Sequence, residues 1–361
     1  MEGLRDRLKN ILCVRLDNMG DALMCSPAIR AIKESSRAAR VTFLVSPVGA
    51  DVARLMPGVD QVLVFEAPWV KNASPQNNAR LMSAMIRRLK GCDFDGAVIF
   101  TTYSQSPLPA ALLCFQAGIP VRIGICRENP YQLLTFWQKE EEPERLVRHE
   151  VRRQLDLVKA FGCVAQEEHL SLEISEQARN RARGLMERFS CPWFILHAGA
   201  TADSRRYPLE SYAHVIREAG NRGWKAVLSG VRDEKSYIDE LARMTADYSI
   251  NLCGRLKLEE FCGLLSGASF LLSNNTGVVH LASATRTPVV VLYALTNPQH
   301  TPWLVPSRVL FEDASCKYCY KSVCPEGHNK CLRAVSPETI MEAIEDLLKE
   351  TRVKMPSVSP L

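Results

Sequence analysis

Phe270-Leu-Leu-Ser-Asn-Asn-Thr-Gly-Val-Val-His-Leu-Ala282 is the stretch that decides the fold. Its opening, Phe270–Ser273, is mostly apolar and does not alternate, which is how a short strand buried on both faces reads. Asn274, Asn275 and Thr276 form a polar turn, Gly277 follows, and Val278–Ala282 starts a helix. A strand, a turn with glycine and a helix make up one half of a parallel α/β unit. In such sheets the turn at the carboxyl end of the strand is where ligands bind.

The same pattern extends outward in both directions. Around this stretch lie the runs Trp193–His197, Lys225–Ser229, Tyr248–Leu252 and Val289–Tyr293, with helix-period segments between them. Earlier in the chain are Ile11–Leu16, Val41–Val45, Gln61–Phe65, Gly96–Phe100 and Val121–Ile125. The segment closing this first half carries the stripe Val147, Val151, Leu155 and Val158, with Arg148 and Arg152 on its opposite face. Gln166–Gln177, rich in Glu, Gln and Ser, reads as a linker. Two successive parallel units imply an α/β chain of two Rossmann-like domains facing a central cleft. The expected bounds are 1–170 and 185–335, then a C-terminal helix over 336–350 with Ser336 as N-cap, and a flexible tail over 351–361.

Composition narrows the functional classes. A chain of 361 residues suits two domains, and 47% hydrophobic with 24% charged residues is ordinary for a soluble globular protein. A formal net charge of +5 permits contact with phosphates or a membrane surface without calling for nucleic acid. The opening MEGLRDRLKN has no signal-peptide character, and no apolar run approaches the roughly 18–20 residues of a membrane span. A cytoplasmic protein is expected. No G-x-G-x-x-G follows the first strand, which disfavours a dinucleotide oxidoreductase, and the P-loop motif is missing. Asp93-Phe94-Asp95 precedes a strand, at the amino edge where ligands do not bind, and reads as a solvated loop.

Four loops follow strands at the ligand-binding edge. After the first strand come Asp17-Asn18-Met19-Gly20-Asp21. Gly20 permits a tight turn, and Asp21 is either a proton acceptor or an ordinary helix-start carboxylate. After Trp193–His197, the backbone amides of the loop, Thr201 and Arg205 suit a phosphate, although an ordinary loop with solvated arginines reads the same way. In the opening stretch, Thr276 and Gly277 start a helix whose amides suit a diphosphate, with Asn275 before them. His280, one turn on, is a ligand contact or a packed helix residue. After Lys225–Ser229, Glu234 suits a ribose diol or simply favours the helix dipole.

Together these loops resemble glycosyltransferase family 9, whose best-known members are the ADP-heptose:lipopolysaccharide heptosyltransferases. The resemblance rests on Arg15-Leu16-Asp17-Asn18-Met19-Gly20-Asp21, on Ser273–Ala282, on Arg206-Tyr207-Pro208 and on the stretch Cys319–His328. It implies a GT-B fold and an inverting, metal-independent transfer of a sugar, heptose from ADP-heptose first, onto a lipopolysaccharide core or related glycan. Asp21 falls on the family's proposed base. Arg205 falls where the heptosyltransferases place a diphosphate-binding lysine, Glu234 on the ribose-binding glutamate, and Leu256 where an apolar residue lines the adenine. Thr276 and Gly277 would steady the departing diphosphate. Asn275 stands where well-known heptosyltransferases carry Asp, so another nucleotide sugar stays open. A non-catalytic nucleotide-sugar binder is the remaining alternative.

On the acceptor side the expected residues are Gly20, Arg122, Arg148 and Arg152, together with Lys71 and Arg127, all in the first domain. These would meet an acidic glycolipid in peripheral contact with the inner membrane face; a solvated basic face is the plainer reading. Of the 13 cysteines, Cys13, Cys25, Cys114, Cys126, Cys163 and Cys262 sit singly in apolar runs and read as small buried hydrophobes. Only Cys316, Cys319, Cys324 and Cys331 cluster, with His328 among them. They have enough ligands for a structural zinc, with packed free thiols and disulfides as the other readings and no part in catalysis.

Overall fold

The structure is a computed structural model that describes residues 8–35, 39–70, 78–187, 191–294, 298–319 and 321–351. Lys71 and the tail beyond 351 lie outside these. The chain divides into two compact units, Met1–Glu173 and Ile174–Leu361.

The first unit is built on a six-stranded parallel sheet in the order β3-β2-β1-β4-β5-β6. The strands are β1 (Asn10–Arg15), β2 (Arg40–Val45), β3 (Gln61–Val64), β4 (Gly96–Ile99), β5 (Val121–Cys126) and β6 (Phe136–Lys139). The apolar runs of β1 and β4 are buried on both sides because helices cover both faces. Leu12, Val14 and Ile99 pack against Leu89, Leu113 and Cys114 from helices Asn78–Lys90 and Leu108–Gln116. Helices Ser26–Ser35 and Glu150–Ala160 pack against each other elsewhere in the unit. Burial raises the thiols of Cys114 and Cys262 to about 12, so they behave as apolar side chains.

The second unit repeats the plan in the order β12-β11-β10-β7-β8-β9. Here β7 is Trp193–His197, β8 Lys225–Ser229, β9 Ser249–Asn251, β10 Leu271–Asn274, β11 Val289–Leu292 and β12 Ser307–Leu310. Phe194 stacks on Phe270 at 4.7 Å, and Trp224 tilts onto the same ring at 5.7 Å. The final helix, Pro337–Glu350, buries Ile340, Ile344, Leu347 and Leu348 in this core, so it is part of the second unit. Ser336 caps it, accepting the Thr339 N–H at 3.1 Å.

Three features differ from the sequence reading. The edge strands β6 and β12 were not anticipated. The last two residues of the expected linker, Glu176 and Gln177, open the helix Glu176–Met186, which was not anticipated and is capped by Ser175. The segment carrying Arg148 is not yet helical: the helix opens at Glu150, with His149 as N-cap, and Val147 is exposed. Its backbone is held outside the helix by Glu142, whose carboxylate accepts the Arg148 N–H at 2.6 Å.

Strand order reverses between β1 and β4 in the first unit and between β7 and β10 in the second. The loops leaving the carboxyl ends of these strands part at the reversal and leave room for a ligand.

Candidate active site

In the second unit one side chain sets the spacing of the two loops. Asn274 ends β10 and is fully buried. Its Nδ2 donates to the Ala198 carbonyl at 2.7 Å. Its Oδ1 accepts the Tyr207 N–H at 3.2 Å and the Tyr212 hydroxyl at 2.9 Å. Tyr207 in turn donates its hydroxyl to the Val335 carbonyl at 2.6 Å, just before the final helix. Sequence reading gave Asn274 no role; a polar residue ending an apolar strand was the available signal.

Around this tie, polar atoms are buried without partners. Thr276 is the N-cap of helix Gly277–Ala284, yet its hydroxyl makes no capping bond. Its Oγ1, the Oδ1 of Asn275 and the Nε of Arg205 are each buried with no hydrogen bond. Each such atom costs about 1–3 kcal/mol when left unpaired. They are grouped at the strand-order reversal, beside a helix N-terminus that favours negative charge. Thr201 is exposed on the same loop. His280 is buried within the helix, its ring edge-on to His300 at 6.3 Å between centroids.

Glu234 follows β8 and accepts the Val231 N–H at 3.0 Å, so part of its carboxylate closes its own turn. A methyl group on Gly199 would lie 2.1 Å from Glu234 Oε1, so only glycine lets the carboxylate rest against the loop after β7. His197 Nε2 lies 4.0 Å from Glu234 Oε2, and its Nδ1 lies 3.1 Å from the Ser229 hydroxyl. Burial lowers the His197 pKa, with Glu234 pulling the other way. Leu256, half-buried after β9, borders a cavity of about 320 Å³ together with Leu252 and Arg255.

In the first unit the reversal is acidic. Arg15 ends β1, fully buried, with Nε 2.6 Å from Asp17, an Nη 3.3 Å from Asp21 and the other Nη 2.7 Å from Glu150. Asp21 is the third residue of helix Met19–Leu23, after the buried Gly20. Its Oδ2 accepts the Asn18 N–H at 3.2 Å while Oδ1 faces Arg15. The capping role is therefore present alongside the position expected for a base. The Asp17 carboxyl pKa is raised, by burial first and then by the neighbouring Asp21 and Glu150 carboxylates. Arg15 and a 2.7 Å bond from Gln105 oppose the rise. Glu150 and Gln105 were missed in the sequence, being far along the chain from β1.

These loops sit on a chain whose residues 82–330 match the family model described as Glycosyltransferase family 9 (heptosyltransferase). The chain belongs to glycosyltransferase family 9. Lipopolysaccharide heptosyltransferase 2 of Salmonella typhimurium is 24% identical to it, over 95% of this chain and 99% of that protein. A family 9 glycosyl transferase structure from Veillonella parvula superposes with a TM-score of 0.80 at 19% identity, covering 95% of this chain and 98% of that one. E. coli ADP-heptose lps heptosyltransferase II gives 0.73 at 21% identity, over 95% and 100%. These structures share the two-sheet GT-B fold of this family 9 glycosyltransferase.

The basic residues expected on the acceptor side of this glycosyltransferase are engaged elsewhere. Arg122 is the second residue of β5, at the amino edge of the sheet. Its guanidinium bonds the carbonyls of Ile119, Pro120, Gln132 and Leu133 and lies 5.2 Å over the Phe115 ring. It holds the β5–β6 connection from the amino edge of the sheet. Arg148 pairs with Glu142 at 2.9 Å and Asp156 at 3.1 Å. Arg152 pairs with Glu168, and Arg127 with Glu144 at 2.9 Å. The basic face is neutralised within the unit. Asp95, expected in a solvated loop, accepts the N–H groups of Lys9 and Asn10.

Among the described residues, no three His, Cys, Asp or Glu side chains stand at metal-binding spacing as placed. No described helix is long and apolar enough to cross a membrane.

Proposed function

We propose that this family 9 enzyme is an inverting, metal-independent heptosyltransferase that moves heptose from ADP-heptose onto a lipopolysaccharide-core acceptor. The observation that carries this reading is the group of buried, unpaired atoms Arg205 Nε, Asn275 Oδ1 and Thr276 Oγ1 at the β7–β10 reversal. A diphosphate and its sugar supply the missing partners. Arg205 gives a charge-assisted bond, the Gly277 helix its amides, and Thr276 its hydroxyl. Thr201 and His280 complete the donor contacts, Glu234 holds the ribose diol and Leu256 lines the base.

In the reaction the acceptor hydroxyl loses its proton to Asp21. Its oxygen bonds the anomeric carbon from the face opposite the diphosphate, the glycosidic C–O bond to phosphate breaks, and ADP departs with the electron pair. General-base help of this kind contributes typically about 10²–10⁴-fold. Arg205 and the helix N-terminus already provide positive charge where the diphosphate charge develops, which supports transfer without a catalytic metal. The acceptor class follows the names of the relatives. It fits a cytoplasmic enzyme in peripheral contact with the inner membrane, with no nucleic acid involved.

Asn275 favours a second reading. An amide in place of a carboxylate carries no charge to orient a sugar hydroxyl or an ammonium, so a different nucleotide sugar fits the same phosphate site. The deciding experiment presents ADP-, GDP- and UDP-sugars with extracted lipopolysaccharide to wild type and Asp21→Ala. Turnover with ADP-heptose that is lost in the variant, while donor binding persists, is the expected result. Turnover with another donor selects the second reading. Binding without turnover for every donor, unaffected by Asp21→Ala, leaves a nucleotide-sugar-binding protein.

A further inference from the structure

We infer that helices Asn78–Lys90 and Leu108–Gln116, with edge strand β6, form a face that docks on an anionic lipid bilayer. These three elements hold five cations, Arg80, Arg87, Arg88, Lys90 and Lys139, and no Asp or Glu. The five equal the whole formal net charge of +5, so the rest of the chain balances its own charges. All five side chains are exposed. Among the described residues none of them meets a carboxylate, whereas Arg127, Arg148 and Arg152 are all paired. Arg87, Arg88 and Lys90 also favour the dipole of their own helix from its last turn. That accounts for neither Arg80 nor Lys139.

The three elements share one side of the first sheet. Met85 and Leu89 from the first helix and Leu113 and Cys114 from the second enter the same core over β1 and β4, and the helices pack together. The sheet edge turns the same way. Trp137 is in register with Gly124, where an added methyl would lie 3.5 Å from Pro107, the N-cap of helix Leu108–Gln116. Residues in register on neighbouring strands point to one side, and every second residue repeats it. Trp137 and Lys139 therefore lie on the helix side of the sheet. Arg122, two residues before Gly124, reaches the Phe115 ring on that side at 5.2 Å.

Toward solvent this face is unlike an ordinary helix surface. Helix Leu108–Gln116 has no charged residue, and its exposed positions are Leu112, Phe115 and Gln116. Leu112, Phe115 and Trp137 are each at least 40% exposed, although a helix face turned to water is ordinarily polar. Cations alone would suit nucleic acid, and an apolar patch alone would suit another protein. Cations flanking Leu, Phe and Trp suit a bilayer interface. There Lys and Arg meet lipid phosphates, and aromatic rings rest at headgroup level. The face gives the membrane contact of the proposed function a location and rests on that reading, yet its lipid binding needs neither donor nor acceptor.

The test is co-sedimentation of the full chain with vesicles, in the absence of nucleotide and glycan. Vesicles of phosphatidylglycerol mixed with phosphatidylcholine should bind it, phosphatidylcholine alone should not, and added salt should weaken the binding. Each Lys or Arg at an anionic surface strengthens binding roughly fivefold, so the Arg87→Ser, Arg88→Ser double variant should bind about ten- to thirtyfold more weakly. Its thermal midpoint should stay at the wild-type value, both positions being exposed. Brominated phosphatidylglycerol should quench wild-type tryptophan fluorescence, and Trp137→Phe should lose most of that quenching. Failure to sediment with anionic vesicles, or equal binding by the double variant, overturns the face. So does a stable dimer that Leu112→Ser dissociates, or nucleic acid that displaces the vesicles. Transfer to a soluble, deacylated acceptor by a chain that ignores vesicles overturns the face and leaves the proposed function standing. Vesicle binding of the expected pattern without any transfer leaves the face and counts against the function.

Discussion

The two strand-order reversals share a topology and differ in charge. Between β1 and β4, three carboxylates from Asp17, Asp21 and Glu150 surround the single guanidinium of Arg15. Between β7 and β10 stand Arg205, two amide side chains and a helix N-terminus. The first repels a diphosphate and can keep a proton acceptor; the second attracts one. The first also holds its key carboxylate by internal bonds, whereas the second leaves atoms on its loops unpaired. The first reversal also has buried side-chain atoms without hydrogen bonds, among them Thr101 Oγ1 after β4 and Glu150 Oε2, but Asp21 itself is held on both oxygens. On the proposed reading, a fold repeated twice is divided by its loop side chains into a base-holding half and a phosphate-holding half.

The sharpest way to break this division is Asp21→Asn, which keeps an acceptor for the Asn18 amide but removes the base. Turnover should fall by about 10²–10⁴-fold with donor affinity nearly unchanged. A fall of less than about tenfold would place the base elsewhere, Asp17 being the next carboxylate to try. Arg15→Met comes second. It strands buried carboxylates and should lower stability by about 3–5 kcal/mol in denaturant titration. Retention of wild-type stability would mean that the acidic cluster is protonated and does not need its cation.

Arg205→Ala tests the other half. Loss of a charged hydrogen bond of about 1.5–3 kcal/mol should weaken ADP binding about 10–100-fold by calorimetry, with Arg205→Lys recovering part of it. An unchanged dissociation constant would detach Arg205 from the phosphate.

The smallest expected effect is in pH dependence, where the halves should slope in opposite directions. His197 has a lowered native pKa, so the unfolded chain takes up the proton first. Its contribution is full above the ordinary histidine value near 6.5 and is lost as pH falls through the window below it. Asp17 has a raised native pKa, so its contribution is full below the ordinary value near 3.9 and is lost as pH rises through the native one. Thermal midpoints of His197→Gln and Asp17→Asn across pH 4–8 should each flatten one slope. Parallel profiles for both variants would remove the distinction.

The central strands and reversal loops were legible because they express local rules. β1, β4, β7 and β10 are continuous apolar runs, and each ends in a polar turn. The edge strands were not legible: β6, Phe-Trp-Gln-Lys, and β12, Ser-Arg-Val-Leu, are short and only partly buried, with little pattern to separate them from loops. Helix Glu176–Met186 was not legible because it buries only Ala178, Ala182 and Met186, too few to mark an apolar stripe. Of the proposed site residues, Asp21, Arg205, Glu234, Asn275 and Thr276 could be picked out by their places after strands. Their partners were not, because Arg15 and Glu150 meet across 135 positions and nothing local marks the pairing. The partners of Arg122 were hidden for the same reason: a charge in sequence does not reveal that its donors meet four backbone carbonyls.

The bond from the Tyr207 hydroxyl to the Val335 carbonyl reaches beyond packing. It moors the arginine-bearing loop to the residue just ahead of the last helix, whose apolar side is sunk in the same core. A stop codon ahead of Pro337 would therefore not merely trim an appendage. On the proposed donor reading it would unmoor the phosphate loop from the C-terminal side, and such an allele would look like an active-site lesion.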